Sequence, residues 1–216
     1  MKFSLLLSAL VAGTLTACSS SPPPNGLEVY QAYDRPIESP RDGSQVRVVV
    51  SLSRQRAYLM EGDQPLFVMP VSVGSEATPT PTGTFRIREK EERRRSTTEG
   101  FAVRQGSAKK VTRRRLPSGS TFVGRPLPYW CGWTPKLGFH TGWIKHEACT
   151  DGCIRMHENL APKFFAKVRV GTPVEISVAP PEDLLYGTIP LPPDAGPLPD
   201  YPVETYLGDG YFDRHR

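Results

Sequence analysis

This 216-residue chain has no apolar run long enough to cross a bilayer as a lasting helix; Phe3–Leu15 comes nearest and is too short. It has no internal repeat, which excludes a solenoid or propeller. It also lacks long helix-compatible stretches: 23 prolines and 19 glycines argue against an all-helical protein. Cysteine is scarce. There are four, Cys18, Cys131, Cys149 and Cys153.

What is present begins at the N-terminus. Met1-Lys2 followed by Phe3–Leu15 has the anatomy of a signal peptide. The segment ends Leu15-Thr16-Ala17-Cys18, which resembles the bacterial lipoprotein signal. That resemblance implies cleavage after residue 17 and a lipid on Cys18, giving a cell-envelope protein held on a membrane. Ser19 follows, so in a Gram-negative host the pattern points to the outer membrane. Residues 18–44 are rich in Ser and Pro and read as a tether. Residues 45–179 are long enough for one domain with a real core. Residues 180–216 form a second Pro-rich stretch, expected to be a poorly structured C-terminal extension that can lay Tyr201, Tyr206 and Tyr211 on the domain.

Between Arg86 and Arg115 stand twelve basic residues, opposed only by Glu89, Glu91, Glu92 and Glu99. Exported chains rarely meet nucleic acid, so no nucleic-acid partner is expected. The same field attracts an acidic polymer such as peptidoglycan or anionic lipid headgroups; a merely solvated loop is the plainer alternative. Residues 96–120 show no apolar period and read as a long basic loop.

Strands are expected over 46–52, 55–60, 66–73, 83–87, 121–123, 137–140 and 172–178. One helix is expected over 159–168, with Asn159 as N-cap and Pro162 in the first turn. The fold class that follows is mainly β: a small mixed sheet or sandwich with one short helix after Cys153. With Cys18 set aside for lipid, three cysteines remain, an odd number for an oxidising compartment. Simple counting pairs Cys131 with Cys149 and leaves Cys153 free.

Thr150-Asp151-Gly152-Cys153-Ile154-Arg155-Met156, with His140 upstream, contains a thiol, a candidate base and a cation. Read with Thr80-Pro81-Thr82-Gly83-Thr84-Phe85, Gly138-Phe139-His140-Thr141-Gly142 and Val170-Gly171-Thr172-Pro173-Val174, in that order, the chain resembles the L,D-transpeptidase catalytic domain family of bacterial cell-wall enzymes. The likeness covers roughly residues 46–178. Two departures stand out. Asp151 occupies the place of the family's second histidine, and the gap from His140 to Cys153 is a few residues short.

The resemblance implies a two-step acyl transfer on peptidoglycan stem peptides, with no cofactor or metal, and sensitivity to carbapenems. Cys153 attacks the amide to give a thioester, and His140 moves the proton. Backbone N–H groups about Gly152 and Cys153 hold the oxyanion, with Thr150 and Asp151 in support. Arg155 binds a stem carboxylate or makes an internal salt bridge. Tyr129, Trp130, Trp133 and Trp143 line the substrate cleft or pack as core. An amine acceptor gives a cross-link or a wall-anchored protein; water gives a hydrolase. Asp151 can stabilise a protonated His140 or, aimed at the sulfur, raise the thiol pKa. Retention of Cys153 and His140 favours a working but retuned enzyme. Three rivals remain: a peptidoglycan-binding module without catalysis, a hydrolase of the same fold, and a zinc site from His140, His146, Cys149 and Cys153.

Overall fold

The computed structural model describes residues 26–196 and 201–214; Cys18 and the expected signal peptide lie outside them. The chain is mainly β, with a mixed sheet and a few short helices. Strands β1 (Val46–Ser51), β2 (Arg56–Glu61) and β3 (Gln64–Ser72) form an antiparallel meander in which Val48, Leu59 and Phe67 stand side by side. Val46, Val48 and Val50 enter the main core, while Val49 joins Tyr58 and Met60 in a cluster on the opposite face. Burial on both faces explains why this stretch is a near-continuous apolar run.

β4 (Gly83–Arg86) pairs with β10 (Pro173–Ser177), which runs parallel to β1. On the other flank come β5 (Glu89–Arg104), β6 (Ser107–Thr112), β7 (Thr121–Gly132), β8 (Gly138–Thr141) and β9 (Ile154–Met156). The strand order is β4-β10-β1-β2-β3-β9-β8-β7-β5-β6. β8 and β9 are parallel neighbours, with Phe139 opposite Ile154 and His140 opposite Arg155.

Helix α1 is Gly26–Gln31, and α2 is Ala161–Lys167. Phe164 of α2 is fully buried, 4.8 Å from the Phe139 ring, in one core with side chains of both sheet flanks. Cutting it to Ala would cost about 3–5 kcal/mol. The N-cap of α2 is Leu160, not Asn159. The Asn159 amide is instead drawn to the carbonyls of Gln31 and Tyr33, at 2.6 and 2.9 Å.

The expected basic loop is a set of strands. β5 pairs with β7 from Glu89–Gly132 to Val103–Thr121, and β6 closes the edge. The ladder slips between Arg95 and Gly100, where Gly100 faces Gly124. A Cβ on Gly124 would overlap the Ser96 carbonyl, so glycine is sterically required there. Only Gly100, Phe101 and Ala102 of β5 are buried, which leaves the strand without a readable period.

From residue 26 on, the expected tether packs against the domain. Tyr30 is buried beside Trp143, Arg35 Nε donates to the Val68 carbonyl, and Lys163 pairs with Asp34 at 2.7 Å. The C-terminal stretch is also docked. In α3 (Glu182–Leu185), Glu182 pairs with Arg47, and Asp183 accepts from Ser51 and Tyr58. In α4 (Val203–Leu207), Tyr206 stacks on Phe101; the α4–α5 turn (α5, Gly210–Asp213) receives Arg95 at the carbonyls of Tyr206, Leu207 and Gly208. Among the described residues no helix is long and apolar enough to cross a membrane.

Candidate active site

Cys153 sits on the last turn before β9, and His140 lies on β8 next to it. Both line a cleft of about 290 Å³ with Ser96, Thr98, Glu99, Arg125, Leu127, Trp130, Lys136, Leu137, Thr150, Asp151 and Arg155. The β5–β7 ribbon supplies one wall. The 150–153 turn supplies the other.

That turn is held from below by the segment after β3. The Thr80 hydroxyl accepts from Gly74 N–H at 2.8 Å and donates to the Gly152 carbonyl at 3.0 Å. Thr150 Oγ1 accepts from Gly152 N–H at 3.2 Å and donates to the Cys153 carbonyl at 2.6 Å. Gly152 has φ +95, which a side chain would strain, and its missing Cβ leaves room for Leu137. The Thr-Pro-Thr-Gly run thus acts mechanically through Thr80, a role the sequence did not reveal.

His140 is buried, and its Nδ1 lies 2.8 Å from the Thr141 carbonyl. A carbonyl only accepts, so Nδ1 carries the proton and Nε2 keeps its lone pair. Burial first, then the charge of Arg155, pushes the imidazole down to about 3; the Thr141 bond opposes this, and Arg125 adds to it. His140 is therefore neutral at physiological pH. Burial pushes the Cys153 thiol up, countered by the Gly138 N–H, Arg155 and Arg125 and reinforced by Asp151. The Cys153 Sγ lies 3.8 Å from the Lys136 carbonyl. Asp151 itself is exposed, its Oδ1 3.4 Å from the Thr78 hydroxyl.

Arg155 pairs with no carboxylate among the described residues; its Nη1 lies 3.8 Å from Cys149 Sγ, and its Nε is buried without a partner. Burial and the nearby Arg125 pull its guanidinium pKa down. Two guanidiniums beside one thiol make the cleft receptive to an anionic group.

Tyr129 and Trp143 do not line this cleft. Tyr129 points into the core against Phe165 with Cys131 and Trp133, while Trp130, one residue on, faces the cleft and stacks near His140. The backbone at Tyr129 decides this: its φ of +56 interrupts the strand alternation, so Leu127 and Trp130 both face the cleft while Tyr129 turns into the core. Trp143 packs between Tyr30 and Tyr201. Arg125, Lys136 and Leu137 join the cleft without any sequence signal; only register and turn geometry bring them in. The expected Cys131–Cys149 bridge is absent: both are free, because Cys131 is buried in the core while Cys149 lies against Arg155. Nor do His140, His146, Cys149 and Cys153 gather as a ligand set among the described residues; His146 Nε2 instead meets the Pro192 carbonyl.

A thiol and a neutral imidazole on one cleft, with two guanidiniums, are the groups that nucleophilic acyl transfer uses. The chain belongs to the YkuD family, the L,D-transpeptidase catalytic domain, whose model matches residues 45–176. No curated protein matches the chain. Among solved structures it is similar to an L,D-transpeptidase from Mycobacterium smegmatis, with 19% identity over 62% of this chain and 58% of that one and a TM-score of 0.46. It is also similar to the L,D-transpeptidase (Yku) of Stackebrandtia nassauensis, with 18% identity over 72% and 66% and a TM-score of 0.48. For an Enterococcus faecium L,D-transpeptidase the figures are 21%, 62% and 50%, with a TM-score of 0.45. The chain thus spans between half and two thirds of the length of these structures.

Proposed function

We propose that this chain is a cysteine-dependent L,D-transpeptidase acting on peptidoglycan stem peptides through a thioester on Cys153. The observation that carries this reading is the placement of Cys153 and a neutral His140, with Nε2 unprotonated, on one cleft. Because the imidazole is held low and the thiol high, the resting pair is neutral. His140 then works as a general base, taking the thiol proton as sulfur attacks the amide carbon. The carbonyl π electrons move to oxygen. Gly152 N–H is occupied by Thr150, which leaves Cys153 N–H as the candidate oxyanion donor. Collapse breaks the C–N bond, and the imidazolium returns its proton to the leaving amine. An acceptor amine then attacks the thioester, loses its proton to His140 and expels the thiol. Arg155 and Arg125 hold a carboxylate of the donor stem.

The site belongs to residues 45–179, carried on a lipoprotein whose lipid is on Cys18, in the cell envelope and, in a Gram-negative host, on the outer membrane. Purified protein incubated with disaccharide-tetrapeptide fragments should give cross-linked dimers by mass and release terminal D-Ala; Cys153→Ala should give neither. Intact fragments with the parent protein would remove the reading.

One observation favours a second reading. Burial and Asp151 raise the thiol, which lowers the thiolate fraction at neutral pH and suits a peptidoglycan-binding module without catalysis. Binding to sacculi without change in their stem peptides would identify that case.

A further inference from the structure

The acyl-transfer reading leaves the far edge of the sheet unused. β6 is the outermost strand, and residues 104–115 carry Arg104, Lys109, Lys110, Arg113, Arg114 and Arg115 with no acid among them. All six are exposed. Arg113 is fixed over the Phe122 ring at 4.2 Å, with its Nε on the Thr97 carbonyl. Arg104, Lys109, Arg114 and Arg115 make no ion pair among the described residues. On the adjoining part of β5 the one acid is Glu99, opposite Thr112. Edge strands are often blunted by a lysine or two. Four cations without an ion pair, on an edge and its following turn, exceed that need and form a field for a polyanion.

The length of chain before the fold says which polyanion lies within reach. If Cys18 bears lipid, eight residues, 18–25, precede α1, and they span at most about 28 Å. Tyr30 of α1 is joined to the basic edge by a run of rings: Tyr30–Trp143 at 5.0 Å, Trp143–Tyr201 at 5.1 Å, Tyr201–Tyr206 at 6.1 Å and Tyr206–Phe101 at 5.8 Å. Phe101 stands opposite Lys110 across the β5–β6 ladder. Anchor exit and basic edge are thus only a few ring widths apart, and the surface held against them is the leaflet that carries the lipid.

We propose that β6 and the 113–115 turn dock on the phosphate-bearing headgroups of an anionic membrane leaflet. The geometry rests on the proposed Cys18 lipid but not on Cys153 chemistry. A juxtamembrane Lys or Arg is worth about fivefold in leaflet affinity, and the effect is screened by salt.

The test uses the full-length chain and two vesicle types, phosphatidylcholine alone and phosphatidylcholine with phosphatidylglycerol. The affinity ratio between them is the readout, so that binding through the N-terminus cancels. The parent should prefer anionic vesicles, less so as salt rises. Combined Lys109→Glu, Arg114→Glu and Arg115→Glu should lower that preference about tenfold or more. Combined Arg41→Glu, Arg54→Glu and Arg169→Glu, exposed residues elsewhere with the same charge change, should lower it far less. No anionic preference in the parent, or equal losses in both triple variants, overturns the proposal. Salt-sensitive binding to isolated peptidoglycan without vesicle preference overturns it too and names a wall polymer instead. Carbapenem acylation of the same variants reports on Cys153 separately, so failure of the docking and failure of the catalytic reading are told apart.

Discussion

The Thr80 hydroxyl links two backbones that must not move: it takes the Gly74 N–H at 2.8 Å and gives its own proton to the Gly152 carbonyl at 3.0 Å, one residue before Cys153. Thr80 is buried, so no water replaces it. Thr80→Val would leave both groups unsatisfied, at a cost of about 1–3 kcal/mol in denaturant unfolding. Carbapenem acylation should slow about tenfold or more, and Thr80→Ser should restore most of it. Unchanged acylation in Thr80→Val would show that the turn is held by its other bonds.

Cys153→Ala should abolish the carbapenem adduct seen by intact mass. Cys149→Ala should retain it, because Cys149 touches Arg155 and does not line the cleft. Alkylation of the unreduced, denatured protein should label Cys131, Cys149 and Cys153 alike. A Cys131–Cys149 disulfide in that experiment would contradict the core position of Cys131.

The Asp151 charge raises the Cys153 thiol and the Arg155 charge lowers it. Asp151→Asn should therefore move the pH profile of Cys153 alkylation to lower pH, and Arg155→Gln should move it to higher pH. Because Asp151 is exposed, its effect should shrink at high salt. An upward shift in Asp151→Asn would mean that the carboxylate acts through His140 instead.

His140 also sets a pH dependence of stability. Its native pKa is pushed down to about 3, whereas in the unfolded chain it lies at about 6.5. Its contribution is fully present above the unfolded pKa. It is lost as pH falls towards the native one, because only the unfolded state then takes up the proton. The melting temperature should decline from about pH 6.5 downward, by roughly 2–4 °C for each kcal/mol lost. His140→Gln should flatten that part of the curve. An equal slope in parent and variant would assign the decline to other groups.

Much of this was legible beforehand. The valine-rich opening strand, the short helix behind Cys153 and the thiol with its upstream histidine follow from local pattern and residue chemistry, which survive any arrangement of the rest. The β5–β6 hairpin was not legible. Its strands have little buried side-chain face, so neither period marks them, and pairing with each other and, for β5, with β7 holds them extended. Asn159 had the chemistry of a cap, but two carbonyls of the N-terminal segment compete for its amide.

The sequence by itself determined which groups are present to react: Cys153 is a thiol, His140 an imidazole and Arg155 a guanidinium, because that chemistry resides in the side chains. Only the tertiary structure decided what surrounds them. Trp130 rather than Tyr129 faces the cleft because the left-handed backbone at Tyr129 breaks the alternation of β7 there. Arg125 arrives from a strand distant in sequence. Trp143, near His140 in sequence, is carried away to Tyr30 and Tyr201. The charge state of His140 depends on the burial and the like-charged neighbours that folding brings to it.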